Sequence, residues 1–125
     1  MTAKIKILVV DDGPVIIESA TKTLSTEVYA VRTASTAESA LALLHAEAPD
    51  IVLIDLQLPM LSGMDLLEII RIEFPLIVAI AMTGYTTEEN ASAALEHGAV
   101  TFLPKPFTFE ELLSAVEHAT GFLRK

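Results

Sequence analysis

Three carboxylates, one hydroxyl and one ammonium stand at comparable places in this 125-residue chain. Asp11 and Asp12 end the run "KILVVDD" at 6–12, and Asp55 ends "IVLID" at 51–55. Thr83, followed by Gly84, ends "IAMT" at 80–83, and Lys105 ends "FLPK" at 102–105. Adjacent carboxylates repel, and burying either is costly without a cation nearby. Oxygen donors with no Cys or His among them favour a hard divalent ion, Mg2+ above all. A lysine can neutralise one of the carboxylates at rest and also serve as a point cation toward a phosphoryl group. One aspartate alone at such a place reads as a solvated side chain. The arrival of threonine and lysine at the other run ends is what argues for a site.

These residues meet only if the runs share an edge. The strand candidates are Ile5–Val10, Val28–Thr33, Ile51–Ile54, Ile77–Met82 and Val100–Leu103. They are short, rich in Val and Ile, and mostly continuous rather than alternating, which suits strands covered on both faces. The intervening segments read as helices. Ser35–Glu38, Thr86–Glu89 and Thr108–Glu111 each match a capping box. Apolar residues follow at helical spacing, as in Ala37, Leu41, Leu44 and in Leu112, Val116, Ala119. Pro14 suits a first helical turn, Gly98 suits a helix C-terminus, and Asp50 and Pro59 bracket the third strand. Strand–helix units repeated five times predict a parallel sheet with right-handed crossovers and helices on both faces. Sites in such sheets form at the carboxyl ends of the strands, near the reversal of strand order. The second strand ends in Ala34 and Ser35 and contributes no obvious chemistry.

Composition narrows the function classes. The length suits one domain, with 52% hydrophobic residues to fill its core. Mean hydropathy is +0.53, yet no apolar run reaches the roughly 18 residues of a membrane span, and the N-terminus has no cleavage-site pattern. The chain has no cysteine, which removes disulfides and thiolate chemistry and fits a reducing cytoplasm. A net charge of −9 argues against direct nucleic-acid binding.

The chain resembles the receiver domain of two-component response regulators, a flavodoxin-like family. The residues that carry the resemblance are "VVDD" at 9–12, "DIVLIDLQLPMLSGMDLL" at 50–67, "AMTGY" at 81–85 and "FLPKPF" at 102–107. The resemblance spans essentially the whole length, and four motifs in this order and spacing are specific. It implies a three-layer α/β/α sandwich, (βα)5, with strand order 2-1-3-4-5 and a single domain over residues 1–125 with no output domain. It implies a phosphoacceptor signalling domain rather than an enzyme. By the same resemblance, Asp55 would take the phosphoryl group of a phosphohistidine on a sensor kinase or phosphotransfer protein, and the other residues would have the following roles. Asp12 binds Mg2+ directly, Asp11 acts largely through water, and Asp55 and the Gln57 backbone carbonyl complete the metal set. Lys105, the Thr83 hydroxyl and the Gly84 N–H contact phosphoryl oxygens. Pro106 follows a cis peptide bond. Thr83 and Phe102 switch the face built from the fourth helix, fifth strand and fifth helix, where a downstream partner, a fused output domain or a second copy would bind.

Gly84 stands where the family often has Ala; both are small. Gln57 and Tyr85 lie where side chains control water access to the phosphoryl group, and a bulky Tyr85 predicts a long-lived phosphoform. His45, His97 and His118 read as helix-surface residues, Asp65 and Glu68 as a solvated face, and Met60, Leu61 and Met64 as local packing. Phe107 and Phe109 are expected to anchor the last helix to the core. A haloacid-dehalogenase phosphotransferase would need a second carboxylate at position 57, where Gln stands. A flavin-binding flavodoxin would need a hydroxyl- and glycine-rich loop where Asp11 and Asp12 stand. An inactive scaffold fits poorly with the intact set of Asp11, Asp12, Asp55, Thr83 and Lys105.

Overall fold

The structure, a computed structural model, describes residues 4–58, 61–84 and 87–123. Five strands alternate with five helices. They are β1 (Ile5–Val10), α1 (Pro14–Leu24), β2 (Tyr29–Ala34), α2 (Ala37–Ala46), β3 (Ile51–Asp55), α3 (Gly63–Glu73), β4 (Val78–Thr83), α4 (Glu88–Glu96), β5 (Ala99–Pro104) and α5 (Phe109–Thr120). All strand pairs are parallel, in the order β2-β1-β3-β4-β5, as the sequence predicts.

The continuous apolar runs follow from burial on both faces. Ile7 and Val9 of β1, Leu53 of β3 and Ile80 and Met82 of β4 point to one layer, with Ala20 and Leu24 of α1 and Leu112, Val116 and Ala119 of α5. Leu8, Val10, Val52, Ile54, Ala79 and Ala81 point to the other, beneath α2, α3 and α4. In the central strands β3 and β4 every residue is buried, and alternate residues serve opposite cores.

Register places the strand ends. Val10 lies level with both Ala34 and Ile54, Asp55 with Met82, and Thr83 with Pro104. Asp11, Asp55, Thr83 and Lys105 thus come to one sheet edge. A register shift at Ala79/Ile80 in the β4–β5 pair sets Phe102 beside Ala81. Phe102 is half-buried against the core layer under α2, α3 and α4.

Two helix starts differ from expectation. The box before α2 is formed by Thr36 and Ser39, one residue later than the predicted Ser35–Glu38. This start directs Ala37, Ala40 and Leu44 into the core, whereas Leu41 is only partly buried. Thr87 caps α4 by accepting the Asn90 N–H; the predicted Thr86 lies outside the described residues, as do Pro59, Met60 and Tyr85. The Thr108–Glu111 box forms as predicted. Gly98 ends α4 with φ of 108°, a conformation other residues adopt at a cost.

Phe109 corrects a prediction. It is 64% exposed at the first turn of α5, beside Val15 of α1, while Leu112, Val116 and Ala119 supply the buried stripe. Phe107 does pack against the α1–α5 core layer.

Candidate functional site at the carboxyl edge of the sheet

Asp11 follows β1 directly, and its N–H donates to the Ala34 carbonyl at 3.1 Å. Its side chain is almost fully buried, with relative exposure of 1%. Asp11 Oδ1 accepts the Gly13 N–H at 2.7 Å, and Oδ2 accepts from Lys105 Nζ at 2.5 Å. Asp55, the last residue of β3, is also buried. Its Oδ1 accepts the Gln57 N–H at 2.9 Å and its Oδ2 accepts from Lys105 Nζ at 3.1 Å. One ammonium therefore bridges two buried carboxylates, and each carboxylate also holds a backbone donor two residues on.

Asp12 is exposed and opens the cluster to solvent. Carboxylate oxygens of Asp11, Asp12 and Asp55 lie within 4.8 Å of one another. Three oxygen donors gathered this closely could hold one hard divalent ion such as Mg2+. The fit is chemical as well as geometric. The donors are all hard oxygens, one of them faces water, and the described residues of the cluster include no thiolate or imidazole.

Lys105 is placed by its own backbone. Its N–H donates to the Thr83 carbonyl at 2.8 Å, which ties the turn after β5 to the end of β4. The Lys105–Pro106 peptide is cis. Desolvation at this half-buried position pulls the Lys105 pKa down, but the hydrogen bonds and charges of Asp11 and Asp55 together outweigh it and leave the pKa raised. Lys105 is therefore a fixed cation at neutral pH.

Thr83 is fully buried at the end of β4, and its hydroxyl donates to the Gln57 side-chain carbonyl, Oε1. Gly84 is exposed, and a Cβ added there would meet nothing within 4 Å. All five predicted chemical residues therefore gather at one edge, with Gln57 beside them.

Sequence reading missed two contributors. It gave Gln57 a backbone metal ligand and a side chain that controls water access, but not the side-chain contact with Thr83. It also passed over Gly63, the first residue of α3. A Cβ there would collide with the Asp55 carbonyl oxygen and lie 2.6 Å from Leu56 Cα. Its position, eight residues after Asp55 and at a helix start, was the available signal.

The histidines stay away from the edge. His45 meets Phe74 edge-on, His118 meets Phe122 likewise, and His97 Nδ1 bonds the Ala93 carbonyl at 2.7 Å. Asp65 is exposed and Glu68 pairs with Arg71, as expected of a solvated face. Leu61 and Met64 pack on the core. A separate cavity of about 150 Å3, lined by Leu8, Ala30, Leu43 and Pro49 among others, lies on the α2 side, and none of the acidic residues of the cluster lines it.

Comparison with known proteins agrees with this geometry. The response regulator receiver domain model matches residues 7–117, and the chain belongs to that family of two-component signalling domains. Nitrogen assimilation regulatory protein NtrX of Azorhizobium caulinodans is 38% identical over 120 residues, covering 94% of this chain and 26% of that protein. DNA-binding transcriptional regulator NtrC of Proteus hauseri is 33% identical over 117 residues, covering 94% of this chain and 25% of that protein. A CheY-like receiver domain protein from Methanospirillum hungatei superposes with a TM-score of 0.89 at 33% identity, covering 96% of this chain and 97% of that one. The chain spans from about a quarter to half the length of the first curated relatives it matches. One of those relatives is named as DNA-binding, so the acidity that disfavours nucleic acid speaks for these 125 residues alone. No helix among the described residues is long and apolar enough to cross a membrane.

Proposed function

We propose that this chain is a phosphorylation-controlled switch in which Asp55 is the phosphoacceptor. The observation that carries the reading is the single Lys105 ammonium bridging buried Asp11 and buried Asp55 beside exposed Asp12. In the reaction, an Asp55 carboxylate oxygen attacks phosphorus of a phosphohistidine on a sensor kinase or phosphotransfer protein. The new O–P bond makes an acyl phosphate, the P–N bond breaks, and the imidazole nitrogen leaves with the electron pair. Little covalent work is asked of the protein; positioning and charge stabilisation dominate.

Asp11, Asp12, Asp55 and the Gln57 backbone carbonyl would hold Mg2+, which would supply charge neutralisation at the phosphoryl oxygens. Lys105 bridges Asp11 and Asp55 at rest, offsetting one of their two charges, and contacts a phosphoryl oxygen after transfer. The Thr83 hydroxyl and Gly84 N–H bind the others. As Thr83 moves toward the phosphoryl group, Phe102 turns into the space it leaves. The face of α4, β5 and α5 then changes shape for a downstream protein, a fused output domain or a second copy. We place this domain in the cytoplasm, without direct contact to nucleic acid or membrane.

The test is intact-mass spectrometry after incubation with acetyl phosphate, with and without Mg2+, on the wild type and Asp55→Asn. One added phosphoryl group requiring both Mg2+ and Asp55 is expected. A label that persists in Asp55→Asn would move the phosphoacceptor elsewhere and sink this assignment.

A further inference from the structure

We infer that the Gln57 side chain is a latch that holds Thr83 in the resting state and must release it on phosphorylation. The inference rests on the reading above and deepens it. Thr83 is fully buried, and a buried hydroxyl left without a partner is costly. In this structure its proton goes to Gln57 Oε1. A hydroxyl has one proton to donate. The Thr83 proton therefore cannot serve Gln57 Oε1 and a phosphoryl oxygen on Asp55 at once, so the two bonds are alternatives.

Gln57 is suited to this task by its own attachment. Its N–H donates to Asp55 Oδ1 at 2.9 Å, so its backbone is tied to the phosphoacceptor while its side chain, exposed to solvent, reaches across to β4. On release, the Gln57 amide can rehydrate at little cost because it already faces water, while the Thr83 hydroxyl exchanges one partner for another. The latch thus sets how readily Thr83 leaves its resting place without contacting phosphorus itself, and Gln57 is a positioning residue on these grounds.

The consequence is a population shift. Removing the acceptor abolishes a bond made only in the resting state, so the active arrangement gains relative weight. A net hydrogen bond corresponds to a shift of about threefold to tenfold in that ratio. When the active form is the minor one, apparent affinity for a ligand of that form improves by the same factor.

The experiment measures binding of fluoroberyllate, a phosphoryl mimic, with Mg2+ by titration calorimetry on the full chain. The proteins are wild type, the single variants Gln57→Met, Thr83→Val and Thr83→Ser, and the two double variants that join Gln57→Met to each Thr83 change. Gln57→Met is expected to bind about threefold to tenfold more tightly than wild type. The gain should vanish in the Thr83→Val background and return in Thr83→Ser, which keeps a hydroxyl. In 1H–15N spectra, the Phe102 amide of unliganded Gln57→Met should move toward its fluoroberyllate-bound position. An equal gain with and without the Thr83 hydroxyl, or weaker binding on losing the Gln57 amide, would overturn the latch. Wild type that fails to bind fluoroberyllate with Mg2+, and takes no phosphoryl group on Asp55, would remove the receiver reading itself.

Discussion

Gly63→Ala sets two effects of opposite sign against each other, and the geometry decides between them. Alanine is the better helix former by up to about 1 kcal/mol in a helix interior, and it restricts the unfolded chain. On those grounds the substitution would stabilise. Gly63, however, opens α3 against the end of β3. Its N–H donates to the Leu56 carbonyl at 3.3 Å. An added Cβ would collide with the Asp55 carbonyl oxygen and sit 2.6 Å from Leu56 Cα and 2.8 Å from the Asp55 carbonyl carbon. Ordinary contact begins near 3.4 Å, and none of these backbone atoms can rotate away. The first turn of α3 must retreat by roughly 1 Å, which loosens Leu66, Leu67 and Ile70, all fully buried. Overpacking of this kind costs about 1–3 kcal/mol, and the weakened Leu56 hydrogen bond adds about 1 kcal/mol. After the propensity gain is subtracted, a net loss of about 1–3 kcal/mol is expected. Urea unfolding followed by circular dichroism should show a lower midpoint with an unchanged slope. Gly84→Ala is the matched comparison, because nothing lies within 4 Å of its added Cβ; it should be neutral or gain up to about 1 kcal/mol. A Gly63→Ala midpoint equal to or above wild type would refute the steric argument.

Other consequences are open to direct measurement. Gly98→Ala forces a side chain onto a backbone with φ of 108° and against the Arg71 stem, and should cost about 1–3 kcal/mol in the same urea assay. Asp12→Asn removes one charge from three clustered carboxylates. Without Mg2+ it should raise the melting temperature, while weakening Mg2+ binding at least about tenfold by calorimetry. For Lys105, the raised pKa means that the folded state holds the proton more tightly than the unfolded chain. Its contribution is complete below the unfolded value of 10.5 and is lost as pH rises through the higher folded value. Lys105→Met should therefore cost stability at pH 7, with the gap to wild type narrowing only above about pH 10.5 in thermal melts across roughly pH 8–12.

The layout of the site was legible because it depends on signals local in sequence. Strand ends are marked by the passage from Val and Ile to a polar residue, and a parallel sheet brings such ends to one edge without further information. Those two signals alone bring together Asp11, Asp55, Thr83 and Lys105, and the register agrees with the convergence. What they could not supply was set by packing between elements. The Thr36–Ser39 cap replaced Ser35–Glu38 because Ala37 and Ala40 had to face the core, and two adjacent hydroxyl residues offer the backbone nearly equal caps. Phe109 resembles an anchor in sequence because an aromatic at helical spacing from Leu112 normally is one, yet it stands exposed at the first turn of α5 beside Val15. Gly63 and the Gln57 side chain belong to the same class. Each acts across a gap between elements, Gly63 by what it lacks and Gln57 by how far it reaches. Residues that bear charge at this edge could thus be found from sequence, whereas those that govern how closely and how freely the charged residues sit required the packed structure. The difference is physical. A strand end is fixed by its own hydrophobic run, but the clearance between α3 and β3, and the span from Gln57 to Thr83, exist only after the layers have met.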